Sequence, residues 1–186
     1  GFFRQDFGLA RAGKCLALGL KEAGVTLNAF QLPYNGGHES VDPLYCCNSK
    51  PPKDLRKLNI FCCNGDYTKQ FVPNWLEEKK LRQGYNVGYW HWEMPYFPDV
   101  FESHFNLLDE IWVPSNFTAQ SIGKKSLLPL QVIPYPIDVP EKLPHLEYIP
   151  FRFPSGSFVL LTAFDFMSSV ERKNPVAVIK AFSECI

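Results

Sequence analysis

Tyr85-Asn86-Val87-Gly88-Tyr89-Trp90-His91-Trp92-Glu93 is the stretch on which the fold turns. It reads as a strand over 85–92: aromatic, almost wholly apolar, then abruptly polar. A strand that alternated apolar and polar would face water on one side. A strand apolar on both sides is covered on both, the signature of a parallel sheet between helices. The same reading fits its neighbours. Leu58 to Cys63 is a short apolar strand that ends on Asn64-Gly65-Asp66, Ile111 to Val113 is another, and Leu130 to Tyr135 a fourth.

Helical patterns separate these runs. Gly8 to Ala23 places Leu9, Leu16, Leu20 and Ala23 on one face, and Gly24 stops it. Val25 to Leu32 is strand-like, and Pro33 to Asp54 reads as loop. Thr68 to Leu81 is a helix that Pro73 interrupts or restarts. Pro98 to Leu108 is a helix with proline in its first turn. Ser115 caps a helix to about Ile122. The alternation of strand and helix makes the fold class α/β, a parallel sheet covered on both faces by helices.

Seven prolines between Pro129 and Pro154 mark a linker. Beyond it, Ser157 to Phe164 reads as a buried strand. Asn174-Pro175 opens a helix whose apolar face is Val176, Ile179, Phe182 and Ile186. The expected organisation is therefore an N-terminal domain over 1–138, a Pro-rich linker over 139–156, and the beginning of a second β-α-type domain over 157–186, cut off after one strand and one helix. The chain lacks an initiator Met and stops within a helical pattern, so it reads as a piece of a longer protein.

Composition narrows the function. The 186 residues carry 19 Lys+Arg and 19 Asp+Glu, so the basic excess of a nucleic-acid binder is missing. The apolar fraction of 46% excludes a disordered chain, and no apolar run reaches the ~20 residues of a membrane-spanning helix. The six cysteines include the adjacent pairs Cys46-Cys47 and Cys62-Cys63 and no C-x-x-C, a poor pattern for zinc or disulfides. They read as reduced thiols.

Four places can carry chemistry. Gly8 opens a helix, and a helix N-terminus with a close backbone suits an anion; the alternative is a helix start that binds nothing. His91 and Glu93 fall on one side of a central strand's carboxyl end, where open α/β sheets bind ligands. There they can bind a polar ligand or move a proton, or be a buried histidine and an exposed glutamate. Asn64 with Asp66, and Ser115 with Asn116, are polar strand ends that line the same edge or serve as a turn and a cap. Finally, Arg172 and Lys173 stand just ahead of the helix opened by Asn174. Cations are disfavoured at that end of a helix, so a bound anion would explain them, as would two solvated loop residues.

Taken in order, the segments Phe7-Gly8-Leu9-Ala10, Asn64-Gly65-Asp66, Tyr85 to Glu93, Asp109 to Phe117, Val132-Ile133-Pro134-Tyr135-Pro136-Ile137-Asp138 and Phe164-Asp165-Phe166, followed by Glu171-Arg172-Lys173-Asn174-Pro175, resemble glycosyltransferase family 4. These are retaining, GT-B-fold enzymes of bacterial polysaccharide and lipopolysaccharide assembly. The resemblance spans nearly the whole chain. It implies two Rossmann-like domains, with the acceptor mainly on the first, whose first strand is missing here, and the nucleotide sugar mainly on the second. It implies a UDP- or GDP-sugar as donor, a glycan or lipid-linked acceptor, no metal and no further cofactor. His91 would lie near the transferred sugar, with Glu93 able to orient the acceptor. Lys173, Arg172 and Gly8 would serve the donor diphosphate. The family's pair of glutamates would lie beyond Ile186, and the piece alone would be inactive. A cytoplasmic place, peripheral to the inner membrane, goes with the resemblance. A non-catalytic nucleotide or sugar-phosphate binding module of the same fold is the alternative.

Overall fold

A computed structural model describes residues 1–33, 58–78, 84–137, 153–164 and 169–185, with 74–78 described by their backbone alone. The chain divides into two compact units, Gly1–Val139 and Pro140–Ile186.

The first unit is a mixed α/β fold. Helix α1 (Gly8–Glu22) is followed by strand β1 (Leu58–Phe61), α2 (Gly65–Glu78), β2 (Tyr85–Tyr89), a 3-10 helix (Asp99–Leu107), β3 (Glu110–Val113), α3 (Asn116–Gly123) and β4 (Leu130–Val132). The four strands form one parallel sheet in the order β1-β2-β3-β4. Phe61 pairs with Gly88, Gly88 with Ile111, and Ile111 with Leu130.

Strand periodicity sorts the core into two layers. Phe61, Cys63, Trp90, Ile111 and Val113 belong to one cluster, together with Phe71 and Val72 of α2 and Ile122 of α3. The intervening residues Ile60, Cys62, Tyr89 and Trp112 belong to a second, with Leu16 and Leu20 of α1. Successive side chains of a strand point to opposite faces, so both faces of this sheet are covered by helix, as the unbroken apolar runs require. Gly88 is where the fit is tightest. A Cβ there would lie 2.5 Å from Leu108 Cδ1 and 2.6 Å from Trp90 Nε1.

Several expectations change. Val25 to Leu32 is not assigned as a strand. It lies irregularly beside the chain start, with the Leu32 N–H donating to the Gly1 carbonyl at 2.8 Å and the Gly1 amino group to Phe30 O at 3.1 Å. Strand β2 ends at Tyr89 rather than Trp92, although the Trp90 N–H still donates to Trp112 O. The segment from Pro98 winds as 3-10 helix, and Pro98 caps it from outside. Helix α2 begins three residues early, at Gly65, and carries Pro73 within it. Helix α1 ends where expected, with Gly24 at φ +79°, but it buries small residues: Ala10, Ala12 and Gly13 beside Leu16, while Ala23 is exposed. Most of the loop read over Pro33 to Asp54 lies outside the described residues, as do Cys46 and Cys47; the other four cysteines are free thiols. No helix among the described residues is long and apolar enough to cross a membrane.

The second unit contains α4 (Val170–Lys173) and α5 (Pro175–Glu184). The expected buried strand from Ser157 to Phe164 is absent: the segment is irregular, and Phe158 and Leu161 are exposed. An apolar run becomes a strand only beside a partner ladder, and none of the described residues supplies one. Val176, Ile179 and Phe182 do lie along α5 but remain exposed.

Candidate functional site

The carboxyl edge of the sheet gathers the polar strand ends. Asn64 precedes α2 and its backbone carbonyl receives the Thr68 N–H at 3.1 Å, so it occupies the helix N-cap position. Its side chain is turned elsewhere: Asn64 Oδ1 accepts the His91 N–H at 3.0 Å. A residue in the place best suited to cap its own helix instead fixes the main chain just past β2.

The other side of that main chain is held from α3. Ser115 caps α3, its Oγ accepting the Thr118 N–H at 3.3 Å. The Thr118 hydroxyl in turn donates to Trp92 O at 3.3 Å. His91 and Trp92 are thus clamped between the ends of two neighbouring strands, which is how this fold holds a site at its carboxyl edge.

His91 itself is half-buried, yet both ring nitrogens are closed off from solvent and neither has a hydrogen-bond partner among the described residues. The imidazole stacks on Tyr135, with centroids 5.5 Å apart and planes 6° from parallel, and meets Tyr89 edge-on at 4.9 Å. Burial among these rings pulls its pKa down to about 4. At neutral pH the ring is therefore uncharged, one nitrogen a donor and the other an acceptor. An orphaned buried imidazole of this kind has the chemistry of a site for hydroxyl-bearing ligand, since it matches a group that both gives and takes hydrogen bonds.

The remaining residues divide by location. Glu93 is exposed two residues beyond His91, and it is close enough to Tyr135 to add to the upward push that burial already gives that phenol. Asp66 lies in the first turn of α2, accepting the Tyr67 N–H at 3.0 Å, and burial raises its pKa. Asn116 is the exposed first residue of α3. Gly8 begins α1, and the space its Cβ would fill is open, so packing does not demand glycine there. The edge therefore brings together Asn64, His91 and, through Thr118, Ser115.

Arg172 and Lys173 belong to the second unit, and their surroundings differ from expectation. They do not sit in a loop: they form the last turn of α4, whose cap is Ser169, its Oγ accepting the Arg172 N–H at 3.1 Å. Cations are favoured at that end of a helix, so α4 alone accounts for their sign. Asn174 ends α4 in the left-handed region, at φ 47°, and leads into α5 without a side-chain cap bond. Lys173 is exposed and still stands immediately ahead of the longer helix.

Three residues of the edge escaped the sequence reading: Thr118, Tyr135 and His104. Thr118 sits at the third helical position after a cap, where a hydroxyl reads as capping. His104 holds the start of α2, its Nδ1 2.6 Å from Gly65 O, a contact across 39 residues that no local pattern announces. A cavity of about 410 Å3 also exists, but it lies between α1, β1 and the 25–32 segment, is mostly apolar, and includes none of these residues. Among the described residues no group of three His, Cys, Asp or Glu side chains is arranged to hold a metal ion. The buried thiols are not nucleophiles either, since desolvation drives Cys63 up to about 12 and Cys62 in the same direction.

No protein-family model, curated protein or solved structure matches the chain.

Proposed function

We propose that the chain forms the first domain, and the start of the second, of a retaining GT-B glycosyltransferase. It would move a sugar from a UDP- or GDP-sugar to a hydroxyl of a glycan or lipid-linked acceptor. The observation that carries this reading is His91: a neutral imidazole without a hydrogen-bond partner among the described residues, at the carboxyl edge of a parallel sheet, its main chain held by Asn64 and that of Trp92 by Thr118. An uncharged ring suits sugar hydroxyls better than phosphate. The series of motifs from Phe7 to Pro175 supports the same reading.

In this reaction the bond between the anomeric carbon and the diphosphate breaks, and charge develops on the leaving oxygen. Stabilising that charge is the largest task. Lys173 and Arg172, ahead of α5, are suited to it by their charge and by the helix N-terminus that follows. Gly8, with open space beside its Cα at the start of α1, leaves room for a close approach to backbone amides. His91 would hold the donor sugar by its hydroxyls, and Glu93 would orient the acceptor. Asp66 and Asn116, in the first turns of α2 and α3, would line the carboxyl edge of the sheet beside them.

The test is transfer itself. The full-length protein is offered a panel of UDP- and GDP-hexoses with oligosaccharide and lipid-linked acceptors, beside the His91→Ala variant. The reading expects transfer with retention from one donor, lost in the variant at an unchanged melting temperature. A protein that binds a nucleotide sugar with no turnover on any acceptor would instead be the non-catalytic module of the same fold.

A further inference from the structure

Tyr135 is held in an unusual way. It lies on the irregular stretch after β4, flanked by Pro134 and Pro136, and is 38% exposed. The main chain just before it is pinned. Ile133 donates its N–H to Val113 O at 2.8 Å, and its carbonyl accepts the Tyr89 hydroxyl at 2.9 Å. The two prolines fix φ on both sides. The Tyr135 hydroxyl makes no hydrogen bond among the described residues. Its ring is therefore kept in place by the rings it touches: His91, parallel at 5.5 Å, and Tyr89, edge-on at 6.3 Å.

Both nitrogens of His91 are closed off in this arrangement, so a ligand cannot reach them without something moving. We propose that Tyr135 is a plug: its ring lies against His91 as part of the cover that shuts both nitrogens off, and must swing out before the imidazole can bind a hydroxyl. Glu93, already exposed, lies near enough to influence the Tyr135 phenol, so it borders the place the ring would vacate. This inference rests on reading His91 as a ligand-binding group, but it is tested without any ligand.

The experiment is carbethoxylation by diethyl pyrocarbonate, mapped by mass spectrometry on the intact chain. The reagent attacks neutral imidazole, which His91 provides at neutral pH. His104, 5% exposed, serves as an internal gauge of folding. In the wild-type protein His91 should react slowly. Tyr135→Ala should raise its rate by roughly tenfold or more while His104 stays protected, as expected for removal of a local cover and not global opening. Tyr135→Phe, which keeps the flat ring, should stay protected. Should Tyr135→Ala expose His104, Tyr135→Leu replaces it, since leucine restores bulk but cannot lie flat on the imidazole. Wild-type His91 reacting like a free histidine, or staying as protected in the folded Ala or Leu variant as in wild type, overturns the plug. Neither result bears on whether a nucleotide sugar binds, so the transfer assay stands apart.

Discussion

Removing the Asn64 side chain tests the clamp on which the site depends. The Asn64 Oδ1 to His91 N distance is 3.0 Å, and the group is partly buried. Asn64→Ala leaves its own backbone carbonyl in place, so the first bonds of α2 survive. What is lost is the acceptor for one shielded N–H. A buried donor left unpaired costs about 1–3 kcal/mol, and partial burial points to the lower half of that range. For a unit of this size, about 1–2 kcal/mol corresponds to a melting temperature lower by about 3–8 °C. Asn64→Asp supplies the contrast. It keeps an oxygen in the same position and places negative charge at a helix N-terminus, so it should stay within about 0.5 kcal/mol of wild type. Thermal unfolding followed by circular dichroism gives the energies, and amide exchange at His91 gives the mechanism: faster in Asn64→Ala, unchanged in Asn64→Asp. Equal stability of both variants, or slow exchange at His91 in the alanine variant, would refute the clamp.

Other predictions follow from the same geometry. With its folded pKa near 4, below the ordinary value of about 6.5, His91 takes up a proton more readily in the unfolded chain. Its effect on stability is therefore nil above about pH 6.5 and increasingly destabilising as pH falls toward 4, reaching at most about 3 kcal/mol; urea unfolding across that window should show a slope that His91→Gln flattens. Gly88→Ala forces a Cβ to within 2.5 Å of Leu108, and overpacking in a central strand should cost about 1–3 kcal/mol by denaturant unfolding. In the full-length protein, Lys173→Ala should lower kcat/KM for nucleotide sugar by roughly 30- to 1000-fold, the loss of about 2–4 kcal/mol from a charge-assisted contact, at unchanged melting temperature; wild-type kinetics would remove Lys173 from the site.

Much of the sheet is legible in the sequence because its determinants are local. The apolar runs around Ile60, Val87, Ile111 and Leu130 need cover on both faces, and a parallel sheet is the structure that gives it. Ser115 before α3 and Gly24 after α1 mark helix ends through their own backbone chemistry. What escapes is set at long range. Neither the run from Ser157 to Phe164 nor the one from Val25 to Leu32 carries a sign of whether a partner strand lies beside it. The sign of the Arg172–Lys173 pair is explained by a helical turn of only four residues, too short to announce itself. At the site, His91 is visible because a polar residue follows an apolar strand. The ring that covers it comes from Tyr135, 44 residues later, and only the fold places the two together.

Whether His91 meets a sugar is the most direct test of the proposed function. With labelled histidine, the imidazole resonances of the full-length protein can be followed while UDP- and GDP-hexoses are added in turn. One of them should shift both ring-nitrogen signals of His91, with magnetisation passing to that ring from sugar protons and not from the base. If a donor binds, as shown by shifts elsewhere, while the His91 signals stay where they are at saturation, His91 is not the sugar-binding group and the proposed site is contradicted.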